Sequence, residues 1–289
     1  MNIGNKIIRG EKIMFLHKKE LQFEAKPERP NPLIAKYLQE LIGGQYGEMS
    51  VAMQYLFQGW SCRGEEKYKD MLMDIATEEI GHVEMLATMV ARLLEGAPVE
   101  DQEEAMKSDP TIGAVIAGMN PQQAIVAGLG PRPADSVGNP WSGAYIIASG
   151  NLLADFRANL NAESQGRLQV ARIYEMIDDK GVKDLLSVLL ARDSYHQNLW
   201  ASAVKELEEK EGSILVPSNF PRENERLDIA YDFYNFSEGE QSKKGSWASG
   251  EALDGEGEYT YHSEPKVEGK KPKLSKVTPK MYGTPENKK

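Results

Sequence analysis

A chain of 289 residues, 40% hydrophobic and 27% charged, can bury a sizeable core and has the make-up of a soluble globular protein. Its net charge of -10 is spread along the sequence without a basic stripe, which argues against nucleic acid and anionic membrane surfaces as main partners. The single cysteine, Cys62, excludes an intrachain disulfide and favours a reducing, cytoplasmic compartment, and the apolar run from Ile13 to Leu16 is far too short for a signal-peptide core or a membrane span.

Residues 1–30, with Pro27 and Pro30 and no sustained period, read as an N-terminal arm. From Pro32 the stripe Ile34, Leu38, Leu41, Gln45, Glu48, Ala52, Tyr55 predicts a helix to about Phe57, across Gly43, Gly44 and Gly47. A turn over Gln58–Glu65 leads to a second helix from Glu66 to Glu95, stopped by Gly96 and Pro98, and the short connection makes the two antiparallel neighbours. Its inward stripe is Tyr68, Leu72, Ile75, Glu79, His82, Leu86, Met89, Leu93, apolar except at its centre. Prolines and glycines break the stretch from Gly96 to Gly143, leaving room for a short helix from Ile112 to Ala117. A third helix is expected from about Ala144 to Met176, with Phe156, Asn159, Glu163 and Val170 inward. A fourth is expected from Val182 to about Lys210, with Leu189, Asp193, His196 and Leu199 or Trp200 inward. From residue 213 the helical period is lost. The tail nevertheless carries Phe233, Tyr234, Phe236, Trp247, Tyr259 and Tyr261, anchors a disordered tail would lack, and it is expected to wrap over the bundle or a neighbouring subunit. The fold class is therefore all-α, a ferritin-like four-helix bundle over 31–212 with a long crossover, followed by an extended, mostly irregular tail over 213–289.

Charged groups in the middle of an apolar stripe need pairing or a metal. Here they form a set: Glu48 alone, Glu79-x-x-His82, Glu163 alone, Asp193-x-x-His196. A Glu from each of two helices plus a Glu-x-x-His from each of the other two is how bundles hold a di-iron or dimanganese centre, since residues three apart share a helix face. Carboxylate and imidazole suit Mn or Fe better than a closed zinc site, which prefers cysteines. A lone E-x-x-H arises easily on a solvated face; four parts, each central on an apolar stripe, do not. His17 and His262 fall in the arm and tail and read as surface residues.

The segments Gly43–Glu48, Ala76–Met85, Glu163 with Arg167–Val170, and Leu190–Gln197 closely resemble the non-haem manganese catalases, and the resemblance runs from about Met14 through the tail. It implies two manganese ions per subunit that dismutate hydrogen peroxide to water and dioxygen, cycling by two electrons between Mn(II)Mn(II) and Mn(III)Mn(III). By motif, Glu48 and His82 ligate one manganese, Glu163 and His196 the other, and Glu79 bridges both. Asp193 takes the place of an outer-sphere carboxylate, and Glu163 or Asp193 serves as proton shuttle. Tyr55 matches an outer-sphere hydrogen-bonding tyrosine; the alternative is a core tyrosine satisfied elsewhere. Some members place an arginine just before the helix-three glutamate, where this chain has Ala162, so arginine-gated access does not carry over.

The resemblance also implies a calcium site from Asp70 and Asp74 with Asn235, Ser237 and Gly239 of the tail, as some members place it between subunits; the alternative is a pair of solvated aspartates. It implies a homohexamer. A di-iron oxidase of the ferritin type uses the same ligand set, though Asp193 in place of a second bridging Glu tilts against it. Members of the family also occur in bacterial spore coats, which makes a structural role the third reading.

Overall fold

The computed structural model describes residues 17–96, 115, 118–265, 269–275, 277 and 281. The chain divides into two compact units, Met1–Pro217 and Ser218–Lys289.

The first unit is helical. Helix α1 spans Pro32–Gly43 and α2 spans Glu48–Ser61. They are followed by α3 over Glu66–Leu94, a short α4 over Pro121–Ile125, α5 over Leu152–Met176 and α6 over Lys180–Glu211. The strongest packing is of α5 on α6 and of α2 on α3, with α1 also on α3. The long crossover from α3 to α5 is what distinguishes this arrangement from a simple up-down bundle. Of the short helix expected over 112–117 only Val115 is described, and it is helical.

Local signals set the ends of these helices. The Asn31 side chain accepts from the backbone N–H groups of Leu33 and Ile34, and Pro32 occupies the first helical position, where its missing N–H costs nothing. The single first helix expected to run to Phe57 is instead two. At Gly44 the backbone turns extended and its N–H bonds back to Glu40, Gln45 is exposed rather than inward, and α2 restarts after Gly47. Gly43 is required by a close approach, since a Cβ there would lie 2.4 Å from the backbone of Ala134, a segment pinned by the Gln39 side chain donating to the Ala134 carbonyl at 2.8 Å. Helix α2 then continues to Ser61, so the turn expected from Gln58 shrinks to 62–65. Helix α5 starts at Leu152 rather than near Ala144. Gly150 has φ 84, Asn151 caps the helix through Ala154 N–H, and the Ile147 backbone is bonded to the side chains of Gln54 and Gln58.

Two apolar clusters fill the bundle. One holds Ile34 to Ile42 of α1, Met85 to Leu94 of α3, Val170 to Ile177 around the end of α5, and Val182 to Leu189 of α6. The other holds Val51 and Tyr55 of α2, Tyr68 to Ala76 of α3, Leu153 to Ala162 of α5, and Trp200 to Leu207 of α6. Trp200, not Leu199, is the fully buried residue of the pair left open by the sequence. On every helix the expected metal ligands fall between these clusters, so they form one polar layer across the middle of the core. Each buried Leu or Ile contributes about 1.5–3 kcal/mol. The two clusters thus supply the stability against which a layer of buried charge is held.

The second unit, expected to be mostly irregular, contains a small sheet in the order β1-β3-β2, with β1 over Asp232–Tyr234, β2 over Ser249–Glu251 and β3 over Glu258–His262. β1 runs parallel to β3 and β2 antiparallel. Phe233 pairs with Tyr261 and their rings stack 5.4 Å apart, and Tyr234 stacks on His262. The tail aromatics therefore serve in part to hold this sheet, while Phe236 and Trp247 stay exposed.

Candidate metal centre

Glu79 and His82 lie one turn apart on α3, and Asp193 and His196 one turn apart on α6; all are buried. Glu163 comes from α5, and Glu48 is the first residue of α2, directly after the break at Gly47. That break turns a carboxylate into the bundle at the start of a helix.

Glu79 is at the centre. Its Oε2 lies 2.6 Å from Nδ1 of His82 and its Oε1 lies 2.8 Å from Nδ1 of His196, so the two oxygens face histidines of different helices. Glu48 Oε2 is 3.7 Å from the same His82 nitrogen, and Glu163 Oε1 is 3.7 Å from the same His196 nitrogen. Two groups with metal-binding spacing result, Glu48–Glu79–His82 and Glu79–Glu163–His196, with Glu79 common to both. Asp193 joins neither. Glu79 Oε1 and His196 Nδ1 are both buried and lie 2.8 Å apart. Buried oxygen and nitrogen atoms at this spacing are suited to share an ion.

The electrostatics agree. Burial, with Glu79 beside it, pushes Glu48 up to about 8. Burial, with Glu48 and Glu79, pushes Asp193 up to about 8 as well. Glu163 rises for the same reasons, burial first and Glu79 next. Burial opposes a low value for Glu79, but the two histidines outweigh it and hold its carboxyl well below the ordinary range. Burial alone would depress His196, yet Glu79 raises it to about 9. A layer so acidic takes up protons, and divalent cations bound to the same oxygens and nitrogens would replace them. The residues present therefore fit a pair of such ions.

Tyr55 donates from its hydroxyl to Glu163 Oε1 at 2.6 Å and packs on Trp200, with ring centroids 4.9 Å apart. Ala162 is buried beside Glu163. The expected calcium residues lie outside this layer. Asp70 and Asp74 are exposed on α3. In the second unit, Asn235 Oδ1 accepts from both the backbone N–H and hydroxyl of Ser237, whose hydroxyl also donates to the Gly239 carbonyl. His17 contacts Glu84, and His262 contacts Asp232.

One residue escaped the sequence reading. Glu78 places Oε2 3.3 Å from Nε2 of His196 and Oε1 3.6 Å from Nε2 of His82. Arg192 grips it with two bonds, Nε at 2.5 Å and Nη2 at 3.0 Å. The i,i+4 spacing of Glu78 and His82 was the signal available in the sequence.

A buried carboxylate and imidazole layer shared among helices of a ferritin-like bundle defines the class of dimetal-carboxylate proteins. Within it, residues 14–287 match the family described as manganese containing catalase, and the chain belongs to that family. It is 62% identical to a manganese catalase of Bacillus subtilis over 271 residues, 94% of this chain and 98% of that protein. It is 43% identical to a manganese catalase of Lactiplantibacillus plantarum, over 93% of this chain and 98% of that one. In structure it is similar to wild-type KatB, a manganese catalase from Anabaena, with a TM-score of 0.68 and 30% identity, covering 87% of this chain and 100% of that chain.

Proposed function

We propose that this chain dismutates hydrogen peroxide to water and dioxygen, with Glu48 and His82 holding one manganese, Glu163 and His196 the other, and Glu79 both. The observation that carries this reading is Glu79 itself, whose two oxygens each approach the Nδ1 of a different histidine within a buried layer. Bound there, a manganese pair supplies two-electron exchange with peroxide, so that neither half of the dismutation has to release a radical. The residues around it do the rest. Tyr55 fixes the orientation of Glu163 through its hydroxyl. Asp193, buried and outside both ligand groups, exchanges protons with incoming peroxide and departing water. The apolar clusters on either side keep bulk water from the layer.

Metal analysis of the purified protein together with oxygen evolution from peroxide tests the reading. Two manganese per subunit and one dioxygen per two peroxides consumed is the expected result. Iron without oxygen evolution would overturn it in favour of a di-iron oxidase, and a full manganese load without activity would favour a structural role in an assembly such as a spore coat.

The same reading includes a homohexamer, supported by aromatics left exposed in the second unit, and a cytoplasmic location, supported by the single cysteine. It includes calcium bound with the help of Asp70 and Asp74. Calcium titration of the full-length protein, with Asp70→Asn and Asp74→Asn lowering affinity, checks the last point. Among the described residues no helix is long and apolar enough to cross a membrane.

A further inference from the structure

An imidazole that binds a metal through Nδ1 carries its proton on Nε2, and a buried N–H without an acceptor is costly. Both histidines here turn Nδ1 to Glu79, and both rings are almost wholly buried. Their Nε2 atoms converge instead on one carboxylate, Glu78, with Oε2 directed at His196 and Oε1 at His82. His82 Nε2 has no hydrogen-bond partner of its own among the described residues, which leaves the Glu78 oxygen at 3.6 Å as the acceptor at hand. Glu78 in turn is held from the opposite helix by the fork of Arg192, whose guanidinium lies 4.8 Å from the Tyr195 ring centre.

We infer that Glu78, clamped by Arg192, is a positioning residue shared by both halves of the centre, holding the two ligand imidazoles in the tautomer and orientation that aim Nδ1 at the metal layer. This rests on the dimanganese reading above. Outer partners of ligating histidines set ring orientation and basicity. Here one carboxylate serves a histidine of each metal group, so the two metal affinities are coupled through a single side chain. Adjacency in sequence makes this possible. Glu78 and Glu79 point to different sides of α3, the one to the outer edges of the rings and the other to their inner edges.

Glu78→Gln breaks the symmetry. It presents one oxygen and one NH2 group, so it can accept from one imidazole while it sets donor against donor at the other. Manganese titration of full-length apo-protein, with electron paramagnetic resonance of the Mn(II) bound, reads the consequence. Wild type is expected to bind two ions with the spectrum of a coupled pair. In Glu78→Gln one site weakens by about 10–100-fold, and the six-line signal of isolated Mn(II) appears at partial loading. Arg192→Lys, which keeps the charge and loses the fork, should give a smaller split in the same direction. A merely structural role would lower the melting temperature and leave the ratio of the two affinities unchanged. The inference is overturned if both variants bind two ions with wild-type affinities and a coupled spectrum. A wild-type protein that binds no manganese pair would overturn the underlying reading as well, and the wild-type titration separates the two failures.

Discussion

On α3 a carboxylate precedes a histidine by three residues, and on α6 the same spacing recurs, yet only the α3 carboxylate reaches both histidines. Glu79 contacts Nδ1 of His82 and of His196; Asp193, one methylene shorter, stays outside both groups with metal-binding spacing. The charge states diverge accordingly. The two histidines hold Glu79 low, while burial beside Glu48 and Glu79 keeps Asp193 at about 8. Equal spacing on two helices therefore gives unequal surroundings: one carboxylate belongs to both groups and the other to neither. One is suited to hold metals and the other to hold a proton.

The largest effect should come from Glu79. Glu79→Gln is expected to abolish stable manganese loading and lower oxygen evolution by more than about 100-fold, beyond the loss typical of outer partners. Retained stoichiometry with full activity would place the bridge elsewhere. Asp193→Asn should leave manganese content at the wild-type level and lower kcat by about 10²-fold or more, as loss of a general acid–base group does. Parallel loss of metal would make Asp193 a ligand and dissolve the contrast. Tyr55→Phe removes the hydroxyl bonded to Glu163, and an intermediate loss of about tenfold in kcat/KM is expected, read by steady-state oxygen evolution at fixed manganese content.

The smallest effect is one of pH on the metal-free protein. Glu48 and Asp193 have folded values raised to about 8 from 4.5 and 3.8, so the folded state binds more protons than the unfolded state between these limits. Their contribution to stability is fully present below about pH 4 and is lost as pH rises through 8. His196, raised from 6.5 to about 9, acts in the same direction at higher pH. The melting temperature of apo-protein should fall from pH 5 to pH 9, and added manganese should flatten the curve. A melting temperature that rises across that range without metal would contradict the assignment of raised values to this layer.

Much of this was legible in the sequence because buried ligands must lie on the apolar stripe, and helical period reports that stripe directly. The break between α1 and α2 was hidden by a coincidence of phase. Leu41 and Glu48 are seven residues apart, two turns of an uninterrupted helix, so the stripe continues across a gap that Gly43, Gly44 and Gly47 create. The start of α5 is not legible locally, because the bonds holding Ile147 extended come from Gln54 and Gln58, far away in sequence. Glu78 is hidden for a related reason. One position from Glu79, it lies off the stripe and reads as solvent-facing until α6 brings Arg192 and His196 against it. The strands of the second unit are three to five residues long and defined by pairing, which no local period announces.

The central claim, that one carboxylate joins two metals while its counterpart on α6 joins none, is tested most directly by anomalous scattering at the manganese edge from crystals of the purified protein. Two peaks per subunit are predicted, one among Glu48, Glu79 and His82 and the other among Glu79, Glu163 and His196, both ligated by Glu79. A single peak, a peak ligated by Asp193, or a signal found at the iron edge instead would contradict it.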